Sequence, residues 1–413
     1  SITAAARGIV LTAPGSGEHN NVIHSNTIGS ALAADKLSET GILIMAEQDC
    51  EIRGNEVLGV NGNSSLLSGI SILAASAFVS VGGNTIHDIK NVNATGAGAN
   101  GIYLASSSAN AAIQVYNNII SDVAANGTTN SREANSNGYG LMIDGGAGYD
   151  IYHNSIILSS NQFQEGYPAA INISSAVTAT GAINIKNNIF GNEQTQAGDH
   201  YTIQCTAAID VIASIDYNDF YNLSGALGFI GSNRLTLTDI RNSFGSNLNS
   251  INVRPAYVSA TDFHIDPANV SNGVNLGDRG TTVGISIDYD KTTRNALTPD
   301  IGADEWLRPN YGSWVGKINT DWLVPENWET NVVPDGSTDV TITGGYTHMP
   351  TIATIQEVRD LNLSAPDISN TPILTLSGGS IQVNGNINYS GGTIDGLHGT
   401  LVMNGTDQQE IPA

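Results

Sequence analysis

Short apolar strands separated by polar corners recur along the first 240 residues. In each repeat an Ile or Val is followed by two variable residues, an Asn, one variable residue and a second Ile, Val or Phe. The seven asparagines, at spacings of 29, 29, 34, 36, 34 and 30 residues, are Asn26, Asn55, Asn84, Asn118, Asn154, Asn188 and Asn218. Repeats of this length are typical of solenoids, in which each repeat is too small to bury its apolar face alone.

A second apolar pattern precedes most of these asparagines by 14 to 18 residues. It is a short strand, usually opened by glycine, in segments that begin at Gly8, Gly41, Gly69, Gly101 and Gly140 and in weaker copies that begin at Ala170 and Tyr201. Because stacked strands share a core, the two patterns predict an all-β solenoid of about seven coils, about 4.8 Å apart.

Each repeat Asn is predicted to lie at a sharp corner between two strands, where Asn tolerates left-handed backbone geometry. Its amide can donate to and accept from the equivalent Asn one coil away, which would form a ladder of all seven side chains. Strand alternation places the Ile or Val three residues before the Asn inside, and the residues two and four before it outside.

The repeats, of the type Tyr152-His153-Asn154-Ser155-Ile156-Ile157, resemble those of pectate-lyase-like proteins. The resemblance covers residues 1–240 and implies a right-handed parallel β-helix. That fold hosts polysaccharide lyases, glycosidases, phage tailspikes and adhesins, so it does not choose among these functions.

Residues 241–311 resemble the closing segment of many bacterial surface β-helix proteins. An Asp-x-Asp run reaching Arg294 leads to Asp300-Ile301-Gly302-Ala303-Asp304-Glu305, in which Asp304 replaces the usual aromatic residue. We interpret the segment as a cap, because an open solenoid end exposes unpaired strand edges. Arg294 is then expected to pair with Asp300 or Glu305.

Residues 312–413 change in character, with three tryptophans between Trp314 and Trp328 and then short strands with Gly-rich turns. This resembles a module of large secreted proteins of Bacteroidetes-type bacteria, many of them exported by type IX secretion. The sequence predicts a second, smaller β-rich or solenoid unit, with the tryptophans in its core. Because the pattern stops in mid-repeat, we expect a fragment of a longer surface protein.

Composition excludes several functional classes. There are 15 Lys and Arg against 38 Asp and Glu, a net charge of −23, which argues against nucleic-acid binding. Asn and Gly make up 91 of 413 residues, which argues against a helical protein. The sequence contains no run of 18 apolar residues, so no membrane span is predicted. Cys50 and Cys205 have no metal-ligand spacing, and their separation by five coils places them beyond disulfide reach.

Candidate chemistry is sparse along this sequence. Acids and a base near the long loop at 122–139 could serve a lyase or glycosidase, namely Asp144, Asp150, His153, Glu165 and Arg132. The alternative is that these are solvated loop and edge residues. The histidines show no metal spacing and are predicted to lie at the surface.

Two binding candidates complete the sequence predictions. The outward row Tyr116, Tyr152 and Lys186 suits sugar rings, with ordinary cross-strand pairing as the alternative. Clustered acids of the closing segment could bind Ca²⁺, or could be turn residues, and these are Asp288, Asp290, Asp300 and Asp304. No other cofactor is predicted.

The sequence therefore favours a non-catalytic, extracellular structural or adhesive segment of a bacterial cell-surface protein. Its expected partners are glycans or other surface proteins, and self-association is a third hypothesis. The alternative is a polysaccharide lyase or glycoside hydrolase that acts on the outer face of the β-helix.

Overall fold

The computed structural model is nearly all β, with large parallel sheets, which confirms the predicted all-β class. It describes residues 5–13, 20–63, 66–94, 97–266, 276, 277, 279–306, 311–366, 369–405 and 409. The chain divides into two compact units. Unit 1 is Ser1–Arg254 with Leu276–Glu305, and unit 2 is Pro255–Asn275 with Trp306–Ala413.

Unit 1 contains three sheets, which the chain visits in rotation. Strands are numbered in chain order, and we call one passage through the three sheets a coil. The nine-stranded sheet contains, in spatial order, β1 (Arg7–Thr12), β4 (Thr40–Met45), β7 (Leu66–Ala74), β10 (Gly98–Ser106), β14 (Gly138–Ile143), β17 (Ala169–Ile173), β20 (Tyr201–Cys205), β23 (Gly228–Ile230) and β24 (Asn233–Arg234). All its pairings are parallel except that of β23 with β24.

The other two sheets of unit 1 are entirely parallel. The seven-stranded sheet contains β2 (Val22–His24), β5 (Glu51–Arg53), β8 (Ser80–Gly82), β11 (Ile113–Tyr116), β15 (Tyr149–Tyr152), β18 (Ile183–Lys186) and β21 (Ile212–Asp216). The eight-stranded sheet contains β3 (Thr27–Gly29), β6 (Glu56–Gly62), β9 (Thr85–Asn91), β12 (Ile119–Ser121), β16 (Ser155–Leu158), β19 (Ile189–Asn192) and β22 (Asp219–Asn222), with β13 (Val123–Ala124) beside β9.

One continuous apolar core runs between these sheets. The residue three before each repeat Asn is buried in all seven repeats, as predicted. The glycines predicted to open strands lie within strands of the nine-stranded sheet, and they also face this core. A Cβ on Gly101 would lie 2.4 Å from Cγ2 of Ile120 and 2.5 Å from the carbonyl oxygen of Gly140. Glycine is required there because the neighbouring coil leaves no room for a side chain.

The stack of coils in unit 1 ends in a short helix, α1 (Leu237–Phe244), and the segment after it. Thr236 caps α1 in a reciprocal capping box with Asp239, and Ile240 is fully buried in the core. Ile251 then forms a parallel bridge with Asp219 of β22. Residues 233–254 thus cover the last coil.

The first part of the predicted closing segment, residues 241–254, belongs to this cover, whereas its later part takes a different position. Residues 279–305 run along the side of the stack and bond to Asn117, Ser155 and Asn187 on three successive coils. The expectation of an end cap therefore does not describe these residues, because their backbone groups are satisfied by corner side chains.

The described residues of unit 2 also form three parallel sheets. They contain β25 (Tyr311–Ser313), β26 (Asp339–Thr343), β29 (Leu361–Ser364) and β32 (Ile387–Tyr389); β27 (Thr351–Ile352), β30 (Ile373–Leu376) and β33 (Thr393–Asp395); and β28 (Ile355–Val358), β31 (Ser380–Val383) and β34 (Thr400–Met403). Trp314, Trp322 and Trp328 are buried in the core of this unit. The ring centre of Trp328 lies 5.0 Å from that of Trp314 and 4.6 Å from that of Trp322, and both contacts are edge-to-face.

Helices are few and short. Besides α1 the described chain has one-turn 3₁₀ helices at Ala33–Asp35, Ile209–Val211 and Pro325–Asn327. Among the described residues, no helix has the length and apolar character that a membrane crossing needs.

Candidate functional site

The seven repeat asparagines lie in one row at the corner between the seven-stranded and eight-stranded sheets. From Asn26 to Asn188, each Nδ2 donates to Oδ1 of the Asn in the next coil at 2.9 or 3.0 Å, and Asn218 is the last acceptor. The same Oδ1 also accepts the backbone N–H of the preceding Asn. From Asn55 onward, Nδ2 donates a second bond to a carbonyl of the preceding coil. The buried amides are therefore fully satisfied.

The left-handed residue at this corner is the one before each ladder Asn, so the expectation that the Asn itself is left-handed was wrong. These residues have φ between 52° and 64° and are Ser25, Gly54, Gly83, Asn117, His153, Asn187 and Tyr217. The chain changes direction at the left-handed residue, and the Asn that follows can then point its side-chain amide into the corner.

The ladder ends on a different residue type. The backbone N–H of Asn218 donates to Oγ of Ser250 at 2.9 Å, and that hydroxyl donates to Oδ1 of Asn247 at 2.8 Å. A serine hydroxyl thus replaces the next amide oxygen where the coils stop.

His153 is fully buried, so the prediction of a surface histidine was wrong for this residue. Its Nε2 accepts from Nδ2 of Asn187 at 2.9 Å, while Nδ1 has no hydrogen-bond partner among the described residues. Burial lowers the pKa of His153 well below its ordinary value, and the positive charge of Arg294 lowers it further. A neutral, enclosed imidazole cannot act on an external substrate.

Arg294 anchors the closing segment to the corner. Its Nη1 lies 3.1 Å from Oε2 of Glu305, and its Nη2 donates to Oδ1 of Asn117 at 2.9 Å. Burial of the guanidinium lowers the pKa of Arg294, which the charge of Glu305 partly opposes. The predicted ion pair therefore forms with Glu305.

The four acidic Ca²⁺ candidates belong to this same segment. Asp288 accepts from the backbone of Thr292 at 2.7 Å and of Glu305 at 2.8 Å, so both its oxygens hold a turn together. Asp300 and Asp304 are buried, and Asp290 lies in the turn beside Asp288. Among the described residues, no group of three or more His, Cys, Asp or Glu side chains is arranged to hold a metal ion.

The proposed catalytic residues lie on different faces of unit 1. Asp144 accepts from Tyr103 at 2.9 Å and Ser174 at 2.5 Å beside the nine-stranded sheet. Asp150 lies on β15 of the seven-stranded sheet, and Glu165 is exposed in the loop after β16. These carboxylates therefore belong to different elements of unit 1, and Asp144 and Asp150 bond to different neighbours.

Arg132 is held in an aromatic clamp over the nine-stranded sheet. Its guanidinium carbon lies 3.5 Å from the ring centre of Tyr167 and 3.7 Å from that of Phe229. It also donates to Oε1 of Gln204, and its carbonyl accepts from Asn172 at 2.9 Å. These contacts fix the 122–139 loop on the sheet and leave Arg132 engaged with protein groups.

The predicted binding row is in register on the outer face of the seven-stranded sheet. Tyr116 pairs with Tyr152, and Tyr152 pairs with Lys186, on three successive coils. The hydroxyl of Tyr152 donates to Oδ1 of Asp150 at 3.1 Å, and Asn184 donates to the same oxygen at 2.9 Å. Burial and the charge of Asp150 raise the pKa of Tyr152, so its hydroxyl stays a donor.

A shallow trough of about 250 Å³ opens beside this row. It is lined by Phe78, Val79, Ser80, Ala112, Gln114 and Asp150. Phe78 is 56% exposed and has a φ of 54°. Sequence reasoning missed Phe78, although it is the one aromatic residue that stands six positions before a ladder Asn, which was a usable signal.

The two cysteines are free and buried. Burial raises the pKa of Cys50 to about 12 and that of Cys205 to about 11, so neither is a reactive thiolate at neutral pH.

No family model matches the chain, and no curated protein matches it at a significant level.

Proposed function

We propose that unit 1 is a right-handed parallel β-helix that acts as a non-catalytic structural and adhesive segment of a secreted bacterial surface protein. The observation that carries this proposal is the asparagine ladder, whose six side-chain rungs are all 2.9 or 3.0 Å long. A buried polar row that is fully bonded rigidifies a core and fixes its register. Stiffness along the coil axis is what a surface stalk needs.

The arrangement of ionisable groups supports a non-catalytic role. Glycoside hydrolysis needs two carboxyl groups about 5 to 10 Å apart that face one sugar ring. Here Asp144 and Asp150 serve different sheets and bond to different neighbours. His153 is enclosed, and Arg132 is clamped between two aromatic rings.

The adhesive part of the proposal rests on the row formed by Tyr116, Tyr152 and Lys186, which we call the tyrosine strip. Tyrosines present a flat apolar ring and a hydroxyl donor, a combination that suits the faces and hydroxyl groups of sugars. Successive coils repeat at about 4.8 Å, so the strip offers contacts to an extended glycan. Glycans of a cell surface are therefore the partners that we propose.

A paired assay tests both parts. The protein is incubated with polyuronides and neutral polysaccharides, and new reducing ends or unsaturated products are measured alongside retention on the same polymers. We expect retention without turnover, weakened by Tyr152→Ala and unaffected by Asp144→Asn. Turnover that Asp144→Asn or Glu165→Gln abolishes would instead establish the lyase or hydrolase alternative.

A further inference from the structure

The trough beside Phe78 exists because one corner of unit 1 changes size from coil to coil. This corner precedes the seven-stranded sheet, and its left-handed residues are Asn20, Asp49, Phe78, Ala112, Gly148 and Gly181. Phe78 therefore forms a wall, and the small residues that follow it, Ala112 and Gly148, leave the space beside it open. A side chain of ordinary size at position 112 would fill the trough.

The polar side chains of the trough have unused bonding capacity. Oδ1 of Asp150 already accepts from Tyr152 and Asn184, which fixes the carboxylate. Its Oδ2 and the amide of Gln114 have no hydrogen-bond partner among the described residues, and Gln114 is exposed. An oriented carboxylate and an amide thus face the same space as the Phe78 ring.

We infer that this trough is a subsite for one neutral pyranose ring of a glycan, an inference that rests on the adhesive function proposed above. The apolar C–H face of the ring would pack on Phe78, and two hydroxyl groups would donate to Asp150 and bond to Gln114. A volume of about 250 Å³ fits a single ring, because pockets for larger ligands start at about 300 Å³. The trough adjoins the tyrosine strip, so the chain of a glycan can continue onto Tyr116 and Tyr152.

The carboxylate sets the class of sugar. A uronic acid would bring its own negative charge toward Asp150 on a protein whose net charge is −23. A neutral hexose presents hydroxyl donors to the same oxygen without this repulsion. The trough should therefore select neutral pyranoses over uronates.

Calorimetric titration of the whole chain with methyl glucopyranoside, methyl galactopyranoside and methyl galacturonate tests the inference. We expect the neutral glycosides to bind at least ten-fold more tightly than the uronate. Phe78→Ala should weaken neutral binding at least ten-fold and should fold normally, since Ala112 adopts the same left-handed conformation with φ of 49°. Phe163→Ala, which removes another exposed Phe of unit 1, should change nothing. Asp150→Asn, which keeps the acceptor for Tyr152 and Asn184, should reduce the preference over the uronate.

The outcomes separate the two proposals. Equal or tighter binding of the uronate, or neutral binding that survives Phe78→Ala, overturns the subsite. If a polysaccharide is retained through Tyr152 and Lys186 while Phe78→Ala has no effect, the subsite is rejected and the tyrosine strip stands. If no sugar binds, the subsite and the strip are both rejected, and the turnover assay decides the non-catalytic role by itself.

Discussion

Nδ2 of Asn154 lies 2.9 Å from Oδ1 of Asn188, and the backbone N–H of Asn154 donates to the same oxygen at 2.9 Å. Oδ1 of Asn188 thus accepts hydrogen bonds from both the side chain and the backbone of Asn154 in the preceding coil. Because both residues are fully buried, neither group can turn to water when its partner is lost. The ladder therefore couples each coil to the next.

Replacing a central ladder residue should be costly. Asn154→Ala removes the acceptor of Asn118 and the donors to Asn188 and to the carbonyl of Val115. We expect the free energy of unfolding, measured by urea titration, to fall by about 2–4 kcal/mol, since buried groups are left unpaired. Asn130→Ala, at an exposed site, should change it by less than about 0.5 kcal/mol. Equal effects at the two sites would contradict a stabilising ladder.

Two strand glycines, Gly101 of the nine-stranded sheet and Gly191 of the eight-stranded sheet, give a second matched pair. Gly101→Ala places a methyl group 2.5 Å from the carbonyl oxygen of Gly140, and backbone cannot move aside easily. We expect a loss of about 3 kcal/mol or more, or failure to fold. Gly191→Ala, also in a strand, meets nothing nearer than 3.5 Å and should cost less than about 1 kcal/mol. Melting temperatures of the two variants provide the measurement.

His153 should make stability depend on pH. The pKa of His153 in the folded protein lies well below its ordinary value. Below about pH 6.5, His153 is therefore protonated in the unfolded chain but stays neutral in the folded protein. Stability should therefore fall as the pH drops from about 6.5 toward the folded pKa, and this contribution should be constant above that range. His153→Asn should remove the effect and should fit the corner, since Asn117 and Asn187 hold the same position in adjacent coils.

The difference between wild type and His153→Asn is the quantity to measure, as melting temperature between pH 7.5 and 5. Burial raises the pKa of Asp219, which contributes a pH dependence of opposite sign in both proteins. Subtraction cancels that contribution. A constant difference across the range would mean that His153 can protonate in the folded state.

Loss of Arg294 should release the closing segment. Arg294→Met leaves Glu305 buried without its cation, and removal of one partner of a buried ion pair costs about 3–5 kcal/mol. We expect proteolysis within residues 279–305 at lower protease concentrations than in wild type. Arg7→Ala breaks an exposed pair with Glu39 and should cost at most about 1 kcal/mol without this new cleavage. Unchanged protection of the segment in Arg294→Met would show that other contacts hold it.

The sequence by itself determined the periodic part of the fold. The Asn, the inward Ile or Val and the Gly of each repeat recur because each coil packs against equivalent coils on both sides. A repeated sequence pattern therefore predicts a repeated contact between coils. The inward positions and the ladder partners could be derived on that basis. The left-handed residue could not, because Ser, Gly, His, Asn and Tyr all occupy it.

Only the tertiary structure decided what happens outside the period. The closing segment crosses several coils, so Arg294 meets Asn117 at a separation of 177 residues with no repeat to signal it. The same contacts enclose His153, which an isolated repeat would leave exposed. The trough depends on Phe78, Ala112 and Asp150 from three coils, and its shape comes from differences between repeats. The repeats encode the stacked coils, whereas contacts between residues far apart in sequence create the closing-segment anchor and the trough.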